Sequence, residues 1–137
     1  MSEKRIIVNS LAEAEAAAAA AAVAAVVPVV LQSARGMAGF MGPMWFKALV
    51  EEAATAHPTA RLTPMLDCAD EPGTVLAALR AGFTRVLYGG PEAMRRRLQE
   101  IADQLGAVIE APSDVPVLDL LDRRDPAAAL RAFLAPD

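Results

Sequence analysis

The amino-acid sequence predicts an α/β fold with a largely parallel sheet. Three features predict it. Short apolar or β-branched runs alternate along the chain with stretches of helical spacing. The run Val29–Leu31 is apolar throughout, as a strand covered on both faces requires. Prolines and glycines mark the junctions: Pro43, Pro72, Pro91 and Pro126 stand where helices open, and Gly82 and Gly106 where they close.

The elements follow in order. Arg5–Val8 is β-branched and reads as the first strand. Asn9-Ser10 offers an N-cap before a helical stretch from Leu11, which is pure alanine from Ala16 to Ala22. Alanine has the best helix propensity and lets a helix lie close to its support, so this tract reads as a packed helix ending near Pro28. Val29–Leu31 is the second strand. A glycine-rich loop, Gln32 to Gly42, follows it. Phe46, Leu49, Val50 and Ala53 then recur at helical spacing until His57-Pro58. Leu62–Leu66 is the third strand, with Pro64 signalling a bulge or a shifted boundary. The third helix opens at Pro72 and carries Val75, Leu76 and Leu79. Arg85–Tyr88 is the fourth strand, leading into Gly89-Gly90. The fourth helix opens at Pro91, with Met94, Leu98, Ile101 and Leu105 on one stripe. Ala107–Ile109 is the fifth strand and leads to Glu110; Val115–Leu121 offers a sixth. Asp125-Pro126 caps a last helix that buries Leu130, Phe133 and Leu134.

Composition narrows the function. The sequence has 137 residues, the size of one α/β domain. That is too short for a complete (β/α)8 barrel, which takes roughly 250 residues. With 55% hydrophobic and 22% charged residues the chain is not of the disordered class. A net charge of −4 argues against a general nucleic-acid binder. A single cysteine excludes a disulfide framework and fits a reducing, cytoplasmic compartment. Met1 to Arg5 does not open a signal peptide, and Ala16–Leu31 is too short and too weakly apolar to span a bilayer.

In a parallel βα repeat, function gathers at the carboxyl ends of the strands. Those ends hold Asn9, Gln32, Asp67 with Cys68, Tyr88 with Gly89 and Gly90, and Glu110. Residues scattered in sequence therefore converge on one rim.

Their order resembles the class II, zinc-dependent fructose-bisphosphate and tagatose-bisphosphate aldolases. The resemblance begins at Val8-Asn9-Ser10-Leu11 and continues through Val27-Pro28-Val29-Val30-Leu31-Gln32. Gly36-Met37-Ala38-Gly39-Phe40-Met41-Gly42 matches the family's spacing of glycines and an aromatic. Met65-Leu66-Asp67-Cys68 is similar to its His-Leu-Asp-His. Ala81 to Gly90 is similar to its Ala-Gly-Phe-Thr-Ser-Val-Met-Ile-Asp-Gly-Ser, and Gly106 to Ala111 to its strand ending in Glu-Ala-Glu. The aldolase-like part is 5–111; residues 112–137 add a further strand and helix.

The resemblance implies a chemistry at matching positions only. In the family, zinc polarises the ketone of a ketose bisphosphate while an Asp handles the proton; Asp67 stands at that Asp. Cys68 stands where the family has a zinc-binding His. The remaining zinc histidines belong to later strands that this sequence does not hold, and its one histidine, His57, precedes the third strand rather than following it. The family's substrate-holding Ser falls on Ala34, its Asp after strand four on Tyr88, and its second Glu after strand five on Pro112. Asn9, Gln32, Gly36, Gly89, Gly90 and Glu110 are what remains of a substrate site.

Each feature also has a plainer explanation. Asp67 and Asp70 flank a strand-to-helix turn, where acids cap helices. Cys68 can be a small buried residue and His57 a loop residue. Gly36, Gly39 and Gly42 could cradle a phosphate with Arg35 as a clamp, or carry no ligand. Arg95-Arg96-Arg97 reads as a solvated helix face, and Trp45 and Tyr88 as packing residues.

The resemblance implies half of a TIM-type barrel; an open, flavodoxin-like doubly wound sheet would bury the same faces. A half barrel leaves open edges, so a homo-oligomer, most simply a dimer, is expected. The favoured reading is an aldolase-like protein without a complete zinc site: a non-catalytic module that binds a phosphorylated small molecule or another protein, with no cofactor, nucleic acid or membrane. The alternative is a lyase or isomerase of small phosphorylated carbonyl compounds, with zinc and a site shared between subunits, or with a metal held by Asp67, Cys68 and Glu110. An α/β domain with an empty rim is the third reading.

Overall fold

The structure is a computed structural model that describes residues 3–24 and 28–136. Residues 1–2, 25–27 and 137 lie outside the described residues, and with them Val27 and the expected approach of the first helix to Pro28. The elements are β1 (Lys4–Ile7), α1 (Leu11–Ala24), β2 (Val29–Gln32), α2 (Met37–Met41), α3 (Pro43–Ala56) and β3 (Leu62–Asp67). They continue with α4 (Pro72–Arg80), β4 (Arg85–Leu87), α5 (Glu92–Asp103), β5 (Val108–Glu110), β6 (Val117–Asp119) and α6 (Pro126–Leu134).

The α/β class is as the sequence predicts. Hydrogen bonds order the strands β5-β4-β3-β2-β1-β6. The consecutive run from β1 to β5 is the order of strands along a barrel wall, the first of the two expected arrangements. The final strand returns beside β1. All the pairings described are parallel.

The chain forms two compact units. One holds Met1–Gln32, Ala48–Thr63 and Val115–Asp137; the other holds Ser33–Lys47 and Pro64–Asp114. In the first unit, Ile6 stands opposite Leu31 on one side and Leu118 on the other, and all three are buried. The alanine tract is a helix as expected. Its buried residues, Ala14, Ala17, Ala18 and Ala21, follow helical spacing, and α1 packs on α6. A row of alanines has no amphipathic pattern of its own, so the elements packed on it, α6 and β2, decide which face is buried. Leu130 and Leu134 of α6 are buried. Phe133 is not fully so; the Lys4 ammonium lies 5.4 Å from its ring centroid.

In the second unit, Leu66, Val86 and Ile109 form a buried row across β3, β4 and β5. Pro64 sits inside β3 without a bulge boundary. Pairing with β4 begins only at Leu66, so the missing proline N–H falls where no partner is required. Two expectations fail here. The glycine-rich loop is not open throughout: Met37–Met41 coils into a short helix between Gly36 and Gly42, both at positive φ. Ile101 and Leu105 do not join the core, being 43% and 57% exposed; α5 buries Leu98 and Ala102 instead and ends before Leu105.

The close approach of α1 and α6 is testable. Ala18 is fully buried, so Ala18→Leu overpacks the helix face and should lower unfolding stability by about 1–3 kcal/mol, read from urea denaturation.

Candidate functional site

The site residues fall into two groups, one in each unit. In the second unit the centre is the exit of β3. Asp67 is positioned from both sides: its N–H donates to Ser33 Oγ at 2.9 Å, and its Oδ1 accepts from Ala69 N at 2.9 Å. Ala69 has φ +52, an uncommon left-handed conformation for a residue with a side chain. That turn aims the Ala69 carbonyl at Gly89, whose N–H donates to it at 2.7 Å. The β3 and β4 exits are thus tied together through backbone.

Burial pushes the Asp67 carboxyl above its ordinary value of 3.8; the bond from Ala69 and the Arg35 charge act against that shift. Asp67 is therefore a group whose proton affinity is raised and whose cationic neighbour is Arg35. Cys68 points the other way. It is 1% exposed, its Sγ lies 4.0 Å from the Leu66 carbonyl, and its thiol is pushed up to about 12, by burial first and then by Asp67 and Glu71. A thiol in that state is neither a nucleophile nor a ready metal ligand near neutral pH.

The glycines have separate structural explanations. A side chain at Gly90 would collide with the ring of Tyr88, which is itself buried, so Gly90 is the space Tyr88 occupies. A side chain at Gly39 would meet the Glu71 carboxylate at 2.8 Å; Glu71 Oε2 also accepts from Thr74 Oγ1 at 3.0 Å. Glu71, and not Asp70 or Asp67, is the residue preceding α4, and its side chain does not cap the helix. In the loop, Met37, Gly39 and Gly42 donate their N–H groups to Ala34, Gly36 and Ala38, so these amides are not presented to an anion. Gly36 has room around it but needs its left-handed φ of +76.

Glu110, at the exit of β5, is held by Arg85. The guanidinium donates through Nε at 2.8 Å and a terminal nitrogen at 3.2 Å to the two carboxylate oxygens. Arg85 stands where the aldolase motif has Ser, so that departure in the quoted run was the signal for this pair.

The first unit holds Asn9 and Gln32. Asn9 donates its backbone N–H and its side-chain amide to Glu13 Oε1, both at 2.9 Å, and its amide again to Asp119 Oδ1 at 3.2 Å. Ser10 Oγ accepts from Glu13 N at 3.2 Å and caps α1. Asn9 thus ties the start of α1 to the end of β6. Sequence reasoning missed Glu13 and Asp119. Ser10-x-x-Glu13 is a capping-box pattern that would have found the first; nothing local marks the second. Gln32 is 5% exposed, and its Oε1 has no hydrogen-bond partner. A buried acceptor left open is uncommon and calls for a donor.

His57 comes before β3 and Cys68 after it, at opposite ends of the same strand. Among the described residues no group of three His, Cys, Asp or Glu is placed to hold a metal ion. No helix among them is long and apolar enough to cross a membrane.

Comparison with known proteins agrees with the sequence resemblance. The plasmid fructose-bisphosphate aldolase of Cupriavidus necator is 29% identical over 97 residues, covering 61% of this chain and 28% of that protein. The class 2 fructose-bisphosphate aldolase of Synechocystis sp. is 33% identical over 63 residues, covering 46% of this chain and 18% of that protein. The chain is similar to part of a class II aldolase. It spans less than a third of the length of these relatives. A solved structure of a candidate fructose-1,6-bisphosphate aldolase from Coccidioides immitis superposes with a TM-score of 0.65 at 18% identity, covering 80% of this chain and 45% of that one. That match shows the fold alone. No protein-family model matches the chain.

Two outcomes follow from the electrostatics. Because the Asp67 pKa is raised on folding, its contribution to stability is full below 3.8 and is lost as pH climbs through the folded value. Arg35→Gln removes a charge that lowers this pKa, so a carbon-detected NMR titration of the Asp67 carboxyl should move upward. Cys68 should stay unmodified by a thiol reagent at pH 8 in the native protein and react fully once urea unfolds it.

Proposed function

We propose that this chain is a non-catalytic, aldolase-like module that binds a ligand or partner without turning it over. The observation that carries the reading is the state of Cys68. At the position of a zinc-binding His it offers a buried, protonated sulfur aimed at a main-chain carbonyl. Zinc needs a thiolate that can leave that contact, together with further donors within about 2.3 Å of the ion. Cys68 does not fit that requirement. The commitments of the other rim residues support the same reading: Glu110 is engaged by Arg85 and Asn9 by Glu13 and Asp119.

The ligand this reading expects is a phosphorylated small molecule. Arg35 beside Asp67 supplies the cation in one unit. A cytoplasmic role in carbohydrate metabolism, as a homodimer, belongs to the same proposal. The lyase reading draws its support from Asp67, which keeps its position and a raised proton affinity.

Zinc titration calorimetry, run beside an aldol-cleavage assay on fructose 1,6-bisphosphate, separates the two. The expected result is no stoichiometric zinc and no cleavage, with Cys68→Ala behaving as wild type. Tight zinc at one ion per chain, lost in Cys68→Ala and accompanied by cleavage, would sink the non-catalytic reading.

A further inference from the structure

Among the described strands β5 is an edge, with β4 on one side only. Its hydrogen-bonding groups divide cleanly. Val108 N donates to Thr84 O at 2.9 Å and Glu110 O accepts from Tyr88 N at 2.9 Å, so residues 108 and 110 face β4. By strand alternation, the Ala107 carbonyl and the Ile109 N–H face outward, towards the place of a next strand.

Those two groups are not open. Gln99 of α5 accepts from Ile109 N through Oε1 at 2.7 Å and donates from Nε2 to Ala107 O at 3.0 Å. A residue of an added parallel strand, lying opposite Val108, would make this same pair of bonds, donating to residue 107 and accepting from residue 109. The carboxamide is held in place by a third bond, from Nε2 to Asp103 Oδ1 at 2.7 Å, one helical turn further along α5. Val108, on this edge strand, is 50% exposed. An apolar edge with free ladder groups is the usual template for pairing between chains.

We propose that Gln99 is a built-in strand mimic: its carboxamide occupies the ladder positions beside β5 and closes this edge to a second copy of the chain. Homo-oligomers of the protein then use other surfaces, and the sheet is not extended through β5.

Amide hydrogen exchange with sedimentation velocity tests this on the full chain. In the wild type, the Ile109 amide should be protected although it points away from the sheet. Gln99→Met keeps the length and helix propensity but has no amide; Gln99→Ala is the second variant should one of them fold poorly. In either, Ile109 should exchange about five- to tenfold faster, the effect of one lost hydrogen bond. Val108, bonded to Thr84, should keep its rate. The variants should also sediment as larger species than wild type at equal concentration. An unprotected Ile109 in the wild type, an unchanged rate in the variants, or faster exchange without any added association would each overturn the proposal.

Discussion

The exit of β3 depends on one backbone torsion. Ala69 adopts a left-handed conformation, which costs a residue with a side chain about 1–2 kcal/mol. Two hydrogen bonds flank it, from Ala69 N to Asp67 Oδ1 and from Gly89 N to Ala69 O. At about 0.5–1.5 kcal/mol each they offset that cost. Around the turn Asp67 is partly buried, Cys68 lies in the interior, and Glu71 stands ahead of α4. Burial is the first cause of the raised proton affinity of both Asp67 and Cys68.

The Arg85–Glu110 pair shows a second constraint. Arg85 and Glu110 lie two register positions apart on neighbouring strands, so they share a face of the sheet. Their side chains are 22% and 23% exposed, and partly exposed ion pairs contribute little to stability. The effect is on availability: a carboxylate already held bidentately is a poor general base and a poor partner for a ligand. Asn9 is committed in the same way, to two carboxylates. Gln32 differs, because its buried acceptor is open.

Much of the fold was legible because its signals are local. Pro43, Pro72 and Pro126 do stand in first turns, and Gly82 and Gly106 do take positive φ. The aldolase-like order of Asn9, Gln32, Asp67 and Glu110 at strand exits was legible too. What escaped was set by partners distant in sequence. Nothing local to Ser33 marks it as the acceptor for the Asp67 N–H, 34 residues away. Leu105 reads as part of an apolar stripe, yet α5 stops at Asp103 and leaves it outside. The short α2 escaped because glycine at both of its ends reads equally well as an irregular loop.

The alanine tract has a consequence for the order in which the first unit comes apart. An alanine methyl buries little area, so each residue of α1 gains little from packing. It also loses no side-chain rotamer freedom on folding. The helix is therefore cheap to order and weakly anchored, and its anchor is α6, near the other end of the chain. Fraying of the carboxyl-terminal helix removes the support of α1 at the same moment. Packing shared in this way favours the two helices opening together.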